Sequence, residues 1–481
     1  MLSLLLAGCA THTEQPDLPT LRNSEWTVAQ PDIHPLPTTA TSQSGAWWQR
    51  PDPAHLAPLI RATLAWNADI QTARISYEQA RLSADTSAAS RLPQLSAQAS
   101  AGRNSTPFAN PGSAGNSLSL GLSASWEADI WGELAASERA SLAQWQGAGA
   151  TLQYQQLTLL ADLISAWSSL LTSAERWQLA VDNRDISQAT WQQMVFQRQA
   201  GLITDLDVAN ARTSWLQAEA AIPQWRDQYQ QALQNIRILC GDCQAAAQLP
   251  GQPQQWLDSR PDTFGDAFND ALLSALPASL QIPASQLQQR PDVQASEWNL
   301  RASVASLDST KASRWPSISL SGSIGNNADN VADLFDPQAL VAQLAASIGY
   351  SLFDGGQLQN RISSAELDVQ QALVNYRTTL LNARAEVENA LSALDNQQQQ
   401  LLALQQAELS AAQAWQLAQQ QQQAGLLSGS DALTVQAQWL NARASRVAGH
   451  ADLRSSLITL YRAMALDVDR LAPAADATAQ E

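Results

Sequence analysis

The sequence predicts a mainly α-helical protein whose few strands form part of a membrane β-barrel. Two copies of one unit make up most of the 481 residues. Each copy contains segments in which apolar and small polar residues alternate, which is typical of strands, and a proline-free stretch of 67 residues with helical periodicity. Each chain is therefore expected to contain four strands and helical rods of similar length.

The internal repeat is visible when the chain is aligned with itself. Residues 67–100 align without a gap on residues 290–323, a shift of 223 positions. Further along, Gly201-Leu202 aligns with Gly425-Leu426 at a shift of 224. One inserted residue between two matching registers indicates a duplication. The predicted organisation is a first repeat at 51–240, a connecting segment at 241–288 and a second repeat at 289–470.

The N-terminus resembles that of a bacterial lipoprotein. The segment Leu6-Ala7-Gly8-Cys9, behind a short apolar run, is similar to a lipobox, in which a signal peptidase cuts before a cysteine that then carries acyl chains. Cys9 is the predicted lipid anchor, with residues 1–8 as a signal-peptide remnant and residues 9–50 as an anchored extension. No positive residue precedes the apolar run, which indicates a true start upstream. Ala10, where inner-membrane lipoproteins tend to have Asp, favours the outer membrane.

In each repeat a helical stretch leads into a strand hairpin. The helices at 67–91 and 290–314 end near Pro93 and Pro316, since proline cannot continue a helix. The segments that follow alternate between apolar residues and mostly serine or glycine, a period of two with one apolar face. A half-buried strand of a soluble sandwich gives the same pattern, so both interpretations remain open. The predicted hairpins are about 92–127 and 316–353.

A very long helix follows each hairpin, at 134–200 and 358–424. Apolar or small residues recur there at steps of three and four, and 67 residues at about 1.5 Å each give a rod of roughly 100 Å. A simple coiled coil explains this periodicity but not the strand hairpins at the same end of both rods. Each rod ends at a Gly-Leu turn. Second helices follow at 204–240 and 430–465, and the tail at 471–481 is expected to be disordered.

The cysteines and the charge balance limit the kinds of site. Cys240 and Cys243 fit a local disulfide at a helix end. A zinc site would need further ligands, whereas the four histidines are scattered, and no thioredoxin-like unit surrounds the pair. The net charge of -17 argues against nucleic acid, which requires clustered Lys and Arg. No catalytic constellation or phosphate loop occurs, so neither an enzyme nor a metal or other cofactor is expected.

Residence in a membrane would require a closed barrel or an anchor, because no stretch reaches the ~18 apolar residues of a spanning helix. Four strands cannot close a barrel, since the smallest barrels have about eight, and an open sheet cannot leave edge groups unpaired in lipid. Other copies of the chain must therefore complete the sheet. Three copies would give about twelve strands and twelve helical rods, although arithmetic alone does not exclude dimers or tetramers.

The order of these elements resembles the outer membrane factor family, which includes TolC, OprM and the NodT-type lipoproteins. The resemblance covers about Trp47 to Asp469, where helix, hairpin, long helix, Gly-Leu turn and helix occur twice behind a lipobox. Two segments, 126–132 (WEADIWG) and 350–356 (YSLFDGG), are similar to the family's joint between strand and long helix. Gly201-Leu202, followed by residues 207–212 (DVANAR), is similar to its periplasmic tip.

The resemblance implies a TolC-like homotrimer with a 12-stranded β-barrel in the outer membrane and a 12-helix barrel in the periplasm. An equatorial belt would come from residues 241–288 and the chain ends. The implied function is a passive exit duct for drugs or other small toxic molecules, with a periplasmic adaptor and an inner-membrane pump as partners. The lipobox resembles that of ducts for resistance-nodulation-division pumps. A type I protein secretion duct and a periplasmic scaffold without a pore are the alternatives.

The same resemblance assigns roles to residues at the two Gly-Leu turns. Gly201-Leu202 and Gly425-Leu426 match the tips on which the adaptor docks. Asp207 and Asp431 occupy the positions of acids that narrow the closed periplasmic mouth, and Asp205 is a third gate candidate. The alternative for such an acid is that it caps the helix that begins there.

The chain departs from the family pattern at its second turn. Thr434 stands where relatives carry a second acid, and Leu427 replaces a residue that is often charged. These departures indicate closing contacts that are weaker or apolar. A mouth ringed by the remaining carboxylates would still favour cations.

Overall fold

The computed structural model describes residues 46–49, 52–105, 114–258, 264–274, 276 and 287–467. These residues belong to two compact units. The first contains the described residues of Ile75–Ala150 and Asp292–Thr379, and the second those of Thr20–Arg74, Thr151–Pro291 and Leu380–Glu481. The anchor candidate Cys9, the extension before residue 46 and the tail at 471–481 lie outside the described residues.

Helices account for most of the described residues, and the two longest have 67 residues each. Their ends differ by one residue from the predicted 134–200 and 358–424. The helices are α1 Pro53–Trp66, α2 Ala68–Ala89, α3 Glu133–Gln199, α4 Asp205–Leu239, α5 Gln244–Ala247, α6 Pro253–Asp258, α7 Phe264–Leu273, α8 Pro291–Ala312, α9 Gln357–Gln423 and α10 Gly429–Met464.

Four antiparallel strands form a single sheet in the first unit, in the order β1-β2-β3-β4. Strands β1 (Gln94–Ser105) and β2 (Ala114–Glu127) come from the first repeat, and β3 (Ser317–Ala328) and β4 (Val341–Gly349) come from the second. The β2–β3 pairing therefore joins the two repeats. Among the described residues, no further strand pairs with the outer edge of β1 or of β4.

The two faces of this sheet differ in chemistry. In the β2–β3 register Leu122 lies opposite Ile324 and Ser123 opposite Ser323, and side chains alternate between the faces of a strand. Leu122 and Ile324 are 46% and 42% exposed, so the described part of the chain leaves the apolar face largely uncovered. The other face carries serine hydroxyls, of which those of Ser96 and Ser123 are hydrogen-bonded at 2.8 Å. One face is thus suited to lipid and the other to water.

The two repeats approach each other closely at two glycines. Gly121 of β2 and Gly325 of β3 are register partners. A Cβ atom on Gly325 would lie 2.6 Å from the Leu120 carbonyl oxygen and 2.8 Å from the Gly121 Cα atom. Both atoms are backbone, so no side-chain rotation can relieve the contact. Glycine at this position is a condition for the two hairpins to form one sheet.

The second unit contains a buried arginine between α3 and α10. The Arg454 side chain is fully buried, and its guanidinium donates to the Ser168 hydroxyl (3.2 Å), the Thr172 hydroxyl (2.8 Å) and the Glu175 carboxylate (3.4 Å). A buried charge is tolerated when hydrogen bonds and a counter-charge compensate its lost hydration. This cluster therefore fixes α10 on α3.

Each repeat also packs two tryptophans between its long helix and the helix that follows. Trp191 of α3 stacks on Trp215 of α4 with ring centroids 4.9 Å apart. Trp415 of α9 stacks on Trp439 of α10 at 6.3 Å. The two pairs are related by the 224-residue shift of the repeat. Stacked rings of this size bury a large apolar area, so each helical hairpin is packed as a unit behind its turn.

Two sequence expectations need correction. Helix α1 was not predicted, and the connecting segment contains the short helices α5, α6 and α7. In addition, α3 contains an 18-residue window that is long and apolar enough to cross a membrane, which the sequence analysis excluded. Because 67% of that window is buried inside the protein, and Leu163 and Trp167 of α3 are fully buried, it is typical of a core helix.

Candidate functional site: the helix tips and the strand-to-helix joints

The first tip, which we define as residues 201–204, joins α3 to α4. Gly201 in this tip has a φ of +74°, a backbone conformation that residues with a Cβ atom rarely adopt. The amide of Gly201 donates to the Arg198 carbonyl (2.9 Å) and that of Leu202 donates to the Gln197 carbonyl (2.9 Å). This pair of hydrogen bonds is the Schellman motif that ends many helices. It leaves the Leu202 side chain 74% exposed.

The second tip, residues 425–428, has the same geometry between α9 and α10. Gly425 has a φ of +72°. The backbone amide of Gly425 donates to the Gln422 carbonyl (3.0 Å), and that of Leu426 donates to the Gln421 carbonyl (2.8 Å). Leu426 is 80% exposed. Each predicted docking leucine therefore stands on a tight turn, free of contacts that would bury it within the chain.

The acids predicted to gate the mouth both cap helices. The Asp207 carboxylate accepts from the Thr204 amide (3.0 Å) and hydroxyl (2.7 Å), while the Asp207 amide donates to the Thr204 hydroxyl, which completes a capping box. The Asp431 amide likewise donates to the Ser428 hydroxyl (3.2 Å), and its carboxylate accepts from that hydroxyl (2.7 Å). Asp431 is exposed and Asp207 is partly exposed, so capping and a charge at the tip are compatible. The gate role stays a prediction.

Asp205, the third gate candidate, is paired instead. Its two carboxylate oxygens accept from Arg198 Nε (2.7 Å) and an Arg198 terminal nitrogen (2.9 Å). The hydrogen bond and the charge of Arg198 hold the pKa of Asp205 below its ordinary value. Asp205 therefore contributes little net charge to the first tip.

The residues that depart from the family pattern have local packing roles. Leu427 packs against a small core formed by Trp415, Ala418 and Ala432. The Thr434 hydroxyl donates to the Ser430 carbonyl at 3.0 Å. Neither side chain is positioned by an ionic contact, so Asp431 is the carboxylate that charges the second tip.

The two hairpins contact each other close behind the tips. A Cβ atom on Gly429 would lie 3.0 Å from Met194 Cε. Thr190 donates to the Gln436 side-chain oxygen at 3.2 Å in a buried hydrogen bond, and Arg443 pairs with Asp182 at 2.9 Å. These contacts tie the C-terminal part of α3 to the N-terminal part of α10.

An aspartate caps the start of the long helix at the strand-to-helix joint of each repeat. Asp129 accepts from the amides of Leu134 (3.1 Å) and Ala135 (2.7 Å) at the start of α3. Asp354 accepts from the amides of Gly356 (2.9 Å) and Leu358 (2.8 Å) at the start of α9. The backbone donors hold the pKa of Asp354 below its ordinary value. The similarity between the two joints therefore reflects a shared helix start.

Cys240 and Cys243 are joined by a disulfide bond at the end of α4, with Cα atoms 5.5 Å apart. The adjacent Leu239 carbonyl accepts from the Asn67 side-chain amide at 2.9 Å. Asn67 stands between α1 and α2, so the disulfide turn is held against that junction. Within the part of the chain that the structure describes, no group of three or more His, Cys, Asp or Glu residues could hold a metal ion.

Comparison with known proteins assigns this architecture to one family. The model for outer membrane efflux proteins matches residues 59–242 and 282–466, which is more than half of the chain and follows the two repeats. The chain belongs to the outer membrane efflux protein family. This assignment confirms the resemblance found in the sequence.

Similar proteins support the family assignment. The pyoverdine export outer membrane protein OpmQ of Pseudomonas aeruginosa is 26% identical over 340 residues, which cover 69% of this chain and 68% of that protein. A crystal structure of a membrane protein from Pseudomonas aeruginosa has a TM-score of 0.78 and 25% identity, covering 93% and 99% of the two chains. Crystal structures of CusC give 0.81 at 22% identity, covering 95% and 99%. These similarities confirm the TolC-like fold class that the sequence predicts for this chain.

Sequence reasoning missed the partners that position the tip acids. Thr204 and Ser428 each stand three residues before an aspartate, and that spacing at the start of a helix is the signal of a cap. Arg198, which neutralises Asp205, carries no comparable signal because its partner lies across the turn. The lipid-anchor candidate Cys9 remains outside the described residues, so its acylation stays a prediction.

Proposed function

We propose that this chain is one protomer of a trimeric outer-membrane exit duct that passively conducts small toxic molecules, including drugs, out of the cell. The observation that carries the proposal is the four-stranded sheet, which exposes an apolar face and whose two edges pair with no other described strand. Such a sheet is stable in lipid only when other copies supply the missing strands. Three copies would make a barrel of about twelve strands with the serine face inside.

An exposed apolar stripe on α9 supports assembly with further copies. Its members, each more than half exposed, recur at steps of seven in two runs, Leu367, Val374 and Leu381, then Leu402 and Leu409. Glu388 and Asp395 occupy the same register between the two runs. An apolar position that recurs every seven residues supplies one of the two seam positions of a coiled-coil heptad. A leucine-rich seam that the chain itself does not cover is suited to a helix of a neighbouring protomer.

The partners of this duct follow from its two ends. The exposed Leu202 and Leu426 would receive the hairpin tips of a periplasmic adaptor, and the adaptor would connect the duct to an inner-membrane pump, in our proposal of the resistance-nodulation-division type. Relatives named for efflux pumps, such as the solvent efflux pump outer membrane protein SrpC of Pseudomonas putida, favour a connection to an efflux pump. Acyl chains on Cys9 would anchor each protomer in the outer membrane, and the duct itself would need no cofactor and catalyse no reaction.

Charge removal at the second tip tests the conducting mouth. Replacing Asp431 by Asn keeps the backbone amide that donates to Ser428 but removes one negative charge per protomer from the mouth. We expect the ratio of potassium to chloride permeability to fall about twofold or more, because rings of carboxylates attract cations into a pore. The measurement is the reversal potential of single channels in a planar bilayer under a potassium chloride gradient.

Asp242→Asn is the matched control, since it removes the same charge at the far end of α4 from the first tip. We expect its reversal potential to equal that of the unchanged protein. An Asp431→Asn channel with an unaltered reversal potential would remove Asp431 from the gate. A purified trimer that never conducts would contradict the duct itself.

A further inference from the structure

In the second unit, α3, α4 and α10 line a partly open cavity of ≈ 340 Å³. Its sixteen lining residues include one arginine and no carboxylate. Leu179, Leu433 and Leu440 provide apolar wall, and the arginine and several amides and hydroxyls provide polar groups. Small-molecule sites have this combination of an apolar wall with a few polar groups, in volumes of roughly 300–1,000 Å³.

Arg176 is the charged group of this cavity. Its guanidinium carbon lies 4.9 Å from the centre of the Trp225 ring, which also lines the cavity. No hydrogen bond or ion pair joins Arg176 to another residue of the described chain. Burial lowers the pKa of Arg176, while Asp452 and Glu175 act in the opposite direction, and an arginine remains charged under any such shift. A half-buried guanidinium with unused donors is suited to a carboxylate, which it can bind through two parallel hydrogen bonds.

Asn183 provides a complementary group two turns further along α3. Its side-chain oxygen is buried and has no hydrogen-bond partner among the described residues, and Asn183 lines the same cavity. Residues seven apart lie on one face of a helix, here about 10 Å apart along its axis. A buried acceptor of this kind costs free energy unless a donor reaches it. The cavity therefore offers a cation and an acceptor two turns apart on α3, with an aromatic wall from α4 and an aliphatic wall that includes leucines of α10.

We propose that this cavity binds a hydroxylated aromatic carboxylate. The carboxylate pairs with Arg176, the ring lies against Trp225 and the leucines, and the hydroxyl donates to the Asn183 oxygen. The inference does not rest on conduction, because it concerns residues within one chain. A ligand that contacts three helices at once also stabilises the arrangement in which all three line the cavity.

The test uses 4-hydroxybenzoate as the probe and the purified full chain in detergent, with binding measured by isothermal titration calorimetry. We expect saturable binding with one site per chain. The variant Arg176→Gln should weaken that binding at least about tenfold, since charge-assisted pairs are the stronger hydrogen bonds. The matched control is Arg226→Gln, which removes the same charge from an exposed position on α4 and should leave the affinity within about twofold.

A second measurement is independent of any variant's folding. The neutral analogue 4-hydroxybenzamide has the same ring and hydroxyl but no carboxylate, and we expect it to bind the unchanged protein at least about tenfold more weakly. Equal affinity for the acid and the amide would overturn the proposal. So would an Arg176→Gln variant that keeps the affinity, or an unchanged, folded protein with no saturable binding up to about 10 mM, beyond the weakest affinity of a specific site.

Discussion

Replacing Gly325 by valine is expected to prevent the two strand hairpins from forming one sheet and so to abolish the proposed trimer. The first atom of the new side chain would lie 2.6 Å from a backbone oxygen and 2.8 Å from the Cα atom of Gly121. The strands would have to separate, at about 1–3 kcal/mol for each overpacked site, and the proposed trimer contains three such sites. Valine otherwise suits strands well, so the loss would arise from lack of space.

Gly322→Val in the same strand is the matched control. The nearest atoms to a Cβ there are a Leu344 methyl carbon at 3.8 Å and a backbone oxygen at 3.9 Å, and the position lies on the apolar face. We expect this variant to give the same band of the proposed trimer as the unchanged protein when unheated samples are compared by mild gel electrophoresis. A stable trimer from the Gly325→Val variant would show that the β2–β3 register described here is wrong.

Arg454→Met is expected to lower the stability of the second unit more than any exposed substitution. The side chain is fully buried, and its removal leaves the hydroxyls of Ser168 and Thr172 and the Glu175 carboxylate without the donor that they share. Removing one partner of a fully buried ion pair costs about 3–5 kcal/mol. Because the Glu175 side chain is 26% exposed, we expect a loss toward the lower end of that range. The measurement is the midpoint of thermal unfolding followed by helical circular dichroism.

Arg81→Met serves as the comparison for this second variant. Arg81 pairs with Glu78 and Asp85 on the surface of α2, where all three side chains are largely exposed. Water and salt screen such a pair, so the unfolding midpoint should scarcely change. Equal midpoints for the Arg454→Met and Arg81→Met variants would contradict the structural role given to the buried arginine.

The regular elements could be predicted because their periodicities are long and occur twice. The two 67-residue helices were located to within one residue, and the strand alternation around Leu122 and Ile324 gave the hairpins and their apolar face. The internal repeat supplied a second, independent copy of each signal. Helix α1 was not predicted because it is short and contains prolines at positions 53 and 58. In a sequence, such prolines usually indicate a turn or the end of a helix.

The sites were predictable only where their residues are close in sequence. The turns at Gly201 and Gly425 carry local signals, and so do the capping acids. The cavity around Arg176 could not be predicted, since its lining comes from three helices whose residues are up to 268 positions apart, from Arg176 to Ala444. Which side chains meet across helices depends on the rotation of each helix about its axis, and a sequence pattern fixes that only for the apolar stripe.

The central claim is that further copies of the chain complete the sheet. The most direct test is the mass of the purified full-length protein in detergent, measured by light scattering with correction for the bound detergent. We predict a single species with three times the 51.8 kDa of one chain and precipitation when the detergent is removed, because the apolar sheet face then has no cover. A folded species with the mass of one chain that stays in solution without detergent would contradict the account.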